Sequence, residues 1–186
     1  DKYVKVIGPD GFNFFINLEN GNATLLFGFG ISEISPLLSY LPPESTVFDI
    51  GANMGVWTRV FYDYFSSGTI FAFEPSPGAF KDLKKNSEHF DIKYSNYAIS
   101  DRDGEVFFSL ENGTALHHIT KEKNKYTIPI KSKKLDNWAL DKNLKRVDFL
   151  KIDVEGHEFE VLLGAKKLIE TFRPIILFEY IDFFVK

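Results

Sequence analysis

Beyond position 45 the apolar residues of this chain fall into a repeating order. A run of four or five comes first, then a turn, then a stretch in which they recur every three or four positions. Val47-Phe48-Asp49-Ile50 is the first run, and Val56, Trp57, Val60, Phe61, Tyr64 and Phe65 mark one face of a helix after it. Thr69–Phe73 repeats the run; Ser76-Pro77 then reads as an N-cap and first helical position for a helix to about Asn86. Residues 92–95 and 147–152 read as further strands, residues 158–172 carry helical spacing at Val161, Leu162, Ala165, Leu168 and Ile169, and Ile175–Phe178 is the last clear strand. Strands apolar on both faces that alternate with helices predict a mainly parallel sheet covered on both sides. Right-handed crossovers make it doubly wound. The predicted fold class is α/β.

The first 44 residues read differently. Residues 3–7 and 12–16 are β-rich and flank the turn signal Gly8-Pro9-Asp10-Gly11, which predicts a hairpin. Residues 32–41 read as a helix that stops at Pro42-Pro43. The expected organisation is an N-terminal hairpin and helix extension, residues 1–44, packed on a main domain of residues 45–186. Residues 106–110 and 126–130 read as extended segments around a polar stretch, residues 111–125.

Composition narrows the class. With 20 Phe, 8 Tyr and 2 Trp in 186 residues, the chain has the aromatic area for a sizeable core, which excludes disorder for most of its length. The absence of Cys removes disulfides, thiolate metal sites and a cysteine nucleophile, and fits a cytoplasmic location. A net charge of −4 argues against a general nucleic-acid binder. No apolar run approaches the ~20 residues that span a bilayer. The chain begins Asp1-Lys2-Tyr3, with no initiator Met and no apolar leader, as expected of a fragment of something longer.

Asp49, Glu74, Asp153 and Glu179 each fall in or just after the last residues of a predicted strand. Ligands of open α/β sheets bind outside the carboxyl ends of the strands. One acid there caps a helix or pairs with a base; four at equivalent places point to a ligand site. Gly51-x-Asn53-x-Gly55 follows the first strand and opens a helix, so backbone N–H groups can approach a ligand. It is neither GxGxxG nor GxxxxGK[ST]. A pyrophosphate is poorly matched to a rim of carboxylates. A ligand with a ribose, an ammonium and a sulfonium suits it, and that combination describes S-adenosylmethionine.

The same residues resemble the FkbM family of class I methyltransferases. The resemblance rests on the run from Val47 to Thr58, on Phe73-Glu74-Pro75-Ser76-Pro77, on Ala98-Ile99-Ser100-Asp101, on the run from Asp148 to Glu158 with Lys151-Ile152-Asp153-Val154-Glu155-Gly156 at its centre, and on Arg173-Pro174-Ile175-Ile176 to Glu179. It implies a Rossmann-like domain in which Asp49, Gly51, Asn53 and Gly55 lie beneath the methionine portion of the cofactor. Glu74 then holds the ribose, residues 98–101 (with Ser100 and Asp101) wall the adenine, and Asp153 and Glu155 face the reacting methyl. The family fold usually adds two strands as an antiparallel edge, whereas this sequence ends soon after Glu179, so a truncated edge is expected. The implied reaction is O-methylation of a hydroxyl on a sugar or small metabolite.

A hydroxyl needs a base near neutral pH. Asp153 is the expected catalytic residue, supported by Glu155 and His157, with Asp153 also counted among the cofactor ligands. HExxH fails because position 161 is Val, and no metal is expected, although Asp153, Glu155 and His157 are the set that would hold one. His117 and His118 read as solvated, Lys121–Lys125 and Lys131–Lys134 as a solvated face, and Trp57 and Trp138 as packing residues. Two other classes stay open: a nucleotide-binding oxidoreductase and a non-catalytic methyltransferase-like binding domain.

Overall fold

A computed structural model of the chain describes residues 3–7, 13–17, 31–110, 118–120 and 123–178. The predicted turn at residues 8–11, His117 and Glu179 lie outside the described residues. Strands β1 (Tyr3–Ile7) and β2 (Asn13–Asn17) pair antiparallel as the hairpin pattern predicts. Helix α1 (Ile31–Leu38) ends before Pro42-Pro43.

The central sheet is built from β3 (Thr46–Ile50), β4 (Thr69–Phe73), β5 (Ile92–Ser95), β10 (Phe149–Ile152) and β11 (Ile175–Phe178), all parallel, in the order β11-β10-β3-β4-β5. The order reverses between β3 and β10, so a crevice opens at their carboxyl ends. Helices α2 (Val56–Tyr64) and α3 (Pro77–Asn86) follow β3 and β4, and with α1 they contribute side chains to the face that carries Val47, Ile70, Ala72, Ile92 and Phe149. Alternation sends Phe48, Ile50, Phe71, Phe73, Leu150 and Ile152 to the opposite face. There they meet Trp138, whose ring stands edge-on to Phe48, Phe71 and Phe73 at centroid distances of 5.6, 5.0 and 4.9 Å.

Three features depart from the sequence pattern. The extended segments belong to a second, four-stranded sheet made of β6 (Ala98–Ile99), β9 (Thr127–Lys133), β7 (Gly104–Ser109) and β8 (Ile119–Thr120), in that order. A seven-residue helix, α4 (Leu135–Asp141), carries Trp138 and was hidden by its brevity; Asp103 fixes its start by accepting hydrogen bonds from Lys134 N and Asn137 Nδ2. Those bonds, the backbone one foremost, hold the Asp103 carboxyl below the usual range. The single helix expected over residues 158–172 is two, α5 (Glu158–Gly164) and α6 (Lys166–Phe172). The break has a local cause. Gly164 sits against the backbone of Ser100, where an added Cβ would stand 2.0 Å from the carbonyl oxygen, and Asp136 accepts from Lys167 N and Leu168 N to start α6.

Phe48 is fully buried at the centre of the aromatic cluster, so Phe48→Ala should cost about 3–5 kcal/mol in urea unfolding. Phe159, 68% exposed, should tolerate alanine within about 0.5 kcal/mol. Equal losses for the two variants would contradict this placement of the core.

Candidate functional site

The site begins with a register. Asp49 of β3 and Lys151 of β10 are direct partners in neighbouring parallel strands, so their side chains share one face of the sheet. Both are buried. The Lys151 ammonium donates to the carbonyl of Gly51 at 3.0 Å and lies 3.2 Å from Asp49 Oδ1 and 3.2 Å from Asp153 Oδ2. Asp49 Oδ2 accepts from Thr58 Oγ1, on α2, at 2.5 Å. Burial pulls the lysine pKa down, but the two carboxylates outweigh it and hold the group above its ordinary value. One cation therefore stands between two anions, and Asp49 Oδ1 faces it without an aligned hydrogen bond.

Above this cluster runs the glycine turn. Gly51, Asn53 and Gly55 have φ of 80°, 49° and 94°, all left-handed. A Cβ on Gly51 would lie 1.8 Å from the Asp153 carbonyl oxygen, so no other residue fits there. Gly51 N and Ala52 N both donate to Phe73 O at 3.0 Å, and Asp153 N donates to Ile50 O at 3.0 Å. These bonds tie together the ends of β3, β4 and β10. From outside, Asn86 on α3 accepts from Phe15 N and donates to Met54 O, while Phe14 and Ile16 of the hairpin pack on Met54.

Glu74 follows the last residue of β4. Its Oε2 accepts from Asn53 N at 2.8 Å and its Oε1 from Ser76 N at 2.7 Å. Burial raises its pKa to about 7, against those two N–H groups and Lys151, which lower it. The carboxyl group is thus shared between both protonation states near neutrality, already oriented by the turn.

The remaining sequence candidates divide. Asp153 is about two-fifths exposed, with Oδ2 on Lys151. Glu155 is half-buried at φ 55° in the turn after β10, and Glu158 Oε1 secures that turn by accepting from Val154 N and Gly156 N. His157 turns away to a different group: its Nε2 is 2.9 Å from Ser100 Oγ, which donates to Asp101 Oδ1, and its Nδ1 is 3.5 Å from Glu160. Burial lowers the His157 pKa despite Glu160, Asp101 and Glu158, leaving the ring neutral at pH 7. Ser, His and Glu in this order resemble a hydrolytic triad, but Ser100 has no exposed surface for a substrate.

The structure therefore joins Asp49, Gly51 and Asp153 in one cluster, Asn53 and Glu74 in a second, and Ser100, Asp101 and His157 in a third. Asp49 lies beneath the turn. Gly55 packs on Leu83 of α3, at the start of α2. Among the described residues no three His, Asp or Glu side chains converge to hold a metal, so the set Asp153, Glu155 and His157 does not form one. Sequence reading missed Lys151 and Thr58. Lys151 was visible as a lysine inside an otherwise apolar strand beside a strand that carries an acid. The acceptor-rich lining suits a cationic ligand with a diol, and the Lys151 ammonium beneath the turn is already taken up by Gly51, Asp49 and Asp153.

Comparison with known proteins agrees in one direction. The family described as the methyltransferase FkbM domain matches residues 49–185. The chain is 29% identical over 158 residues to the 2-O-methyltransferase NoeI of Sinorhizobium fredii, covering 75% of this chain and 65% of that protein. It is 27% identical over 147 residues to the hexuronic acid methyltransferase AglP of Haloferax volcanii, covering 76% and 58%. The chain thus spans about three-fifths of the length of these relatives. A crystal structure of the methyltransferase FkbM from Methylobacillus flagellatus superposes with a TM-score of 0.57 at 16% identity, over 74% of this chain and 33% of that one, a likeness of fold.

Glu74 makes stability pH-dependent. Unfolded, it titrates near 4.5; folded, near 7. Below both values it is protonated in both states, and as pH rises through 7 the folded protein must ionise a buried acid. Its contribution, roughly 3 kcal/mol for a shift of this size, is lost across that window. Urea unfolding of the parent and Glu74→Gln from pH 4.5 to 8 should show the parent losing stability relative to the variant. A constant difference would contradict the burial of an ionisable group there.

Proposed function

This chain belongs to the FkbM methyltransferase family, and from that premise we propose that it transfers a methyl group from S-adenosylmethionine to a hydroxyl of a carbohydrate. When bound, the cofactor supplies a methyl group activated on a sulfonium. Glu74 receives the two ribose hydroxyls on the oxygen lone pairs that Asn53 N and Ser76 N leave open. The glycine turn and Asp153 take the methionine end, and Asp101 shapes the adenine wall, braced by the buried Ser100 and by His157. The observation that carries this reading is Glu74: an acid held by two backbone N–H groups at the end of β4, beside a left-handed glycine turn.

The sequence places the base at Asp153. The ammonium on its Oδ2 favours a binding role instead, as counter-ion to the amino group of the cofactor. The hydroxyl proton is then assigned to Glu155, half-buried in the turn that follows, where a left-handed φ at a non-glycine residue marks a conformation the fold maintains at some cost. Glu158 fixes that turn. The carbohydrate acceptor is supported by the names of the two relatives, one a 2-O-methyltransferase and one acting on a hexuronic acid. No helix among the described residues is long and apolar enough to cross a membrane.

Two measurements test this. S-adenosylhomocysteine should raise the melting temperature, because a ligand that binds the folded state alone stabilises it, and Glu74→Ala should remove most of the rise. NAD should produce none. With radiolabelled cofactor, label should enter hydroxyl-bearing saccharides and uronic acids; Glu155→Gln should lower turnover about 100-fold or more with S-adenosylhomocysteine affinity kept. Label found in amine acceptors alone would overturn O-methylation, and a rise with NAD but not with the homocysteine compound would overturn the cofactor.

A further inference from the structure

Lys151 is the buried group that the proposed chemistry leaves without a task. Its ammonium donates to Gly51 O at 3.0 Å and pairs with Asp49 Oδ1 and Asp153 Oδ2, each at 3.2 Å. Two of these belong to the surface that a ligand would touch, the glycine turn and the half-exposed Asp153. The third, Asp49, has no exposed surface. Asp49 is itself held by Thr58 from α2, so the ammonium is anchored from below and acts upward. A lysine that served stability alone gains nothing from this arrangement, since a buried ion pair is often no better than an apolar pair of the same size.

We propose that Lys151 is a positioning residue for the amino-acid end of the cofactor. By holding one oxygen of Asp153, it leaves the other to receive an ammonium; by holding the Gly51 carbonyl, it fixes the turn that lines the site. It also cancels the charge of Asp49, so the methionine end meets one net negative charge rather than two. Glu74 takes one bond from Ser76 N on its own segment and one from Asn53 N of the turn, so it shares only part of this support. The site therefore has two differently mounted halves, a nucleoside half on Glu74 and an amino-acid half on Lys151. The proposal rests on the S-adenosylmethionine reading above.

The test compares two ligands that share the nucleoside. S-adenosylhomocysteine carries the amino-acid end; methylthioadenosine lacks it. Lys151→Met alone would strand Asp49 as a buried, uncompensated charge and could unfold the chain. The working variant is Asp49→Asn with Lys151→Met, which keeps volume, removes both charges and leaves an amide oxygen at position 49 able to accept from Thr58. In calorimetry this double variant should bind S-adenosylhomocysteine at least about tenfold more weakly than the parent, with methylthioadenosine affinity unchanged within about twofold. Adding Asp153→Ala to the double variant should then cost little more for either ligand, because an unheld Asp153 has already lost its function. Equal losses for both ligands would show a merely structural lysine and overturn the proposal. So would a full further loss on removing Asp153. If the parent itself bound neither ligand, the cofactor assignment would be what fails.

Discussion

The contact on which the site depends is the ion cluster of Asp49, Lys151 and Asp153 under the glycine turn. Its members come from the two central strands, in direct register, and from the loop that follows one of them. Removing the lysine would leave Asp49 without compensation in the core and would free Gly51 and Asp153 together. The close approach of Gly51 to the Asp153 carbonyl, which no side chain would permit, is the steric counterpart of the same constraint. Electrostatics and packing fix the same distance between β3 and β10.

That constraint shapes what the crevice can bind. The buried lysine neutralises one of two aspartates, so of that pair only Asp153 presents its charge to the crevice. Glu74, raised by burial to about 7, adds a second that depends on its surroundings. Hydrogen-bond donors from a sugar diol would favour the ionised form of Glu74, just as its two backbone N–H groups already do. A cationic nucleoside with a free diol fits this pattern of charge; a pyrophosphate does not.

Much of this was legible in the sequence. The alternation of apolar runs and helical stretches identifies the parallel sheet, because fully buried strands such as β3 and β10 tolerate few polar residues and each exception is conspicuous. Asp49, Glu74 and Asp153 stood out by their place at the ends of such strands. What could not be read was direction. Nothing in the spacing of His157 shows that it turns toward Ser100, 57 positions away, rather than toward Asp153. Nor does the sequence show that Asp49 lies under the turn, since its burial follows from the register of β3 with β10 and from Thr58 on α2. The break between α5 and α6 is also tertiary in origin, set by the Ser100 backbone against Gly164 and by the Asp136 carboxylate. Short elements such as α4 gave too few turns for a period to emerge.

Determining the structure of the complex with S-adenosylhomocysteine is the most direct measurement of the central claim. The ribose hydroxyls are expected on Glu74 and the amino group on Asp153, with the Lys151 ammonium still on Gly51, Asp49 and Asp153 and with Asp49 out of reach of the ligand. A ligand whose amino group sits on Asp49, with Lys151 displaced from the cluster, would contradict it.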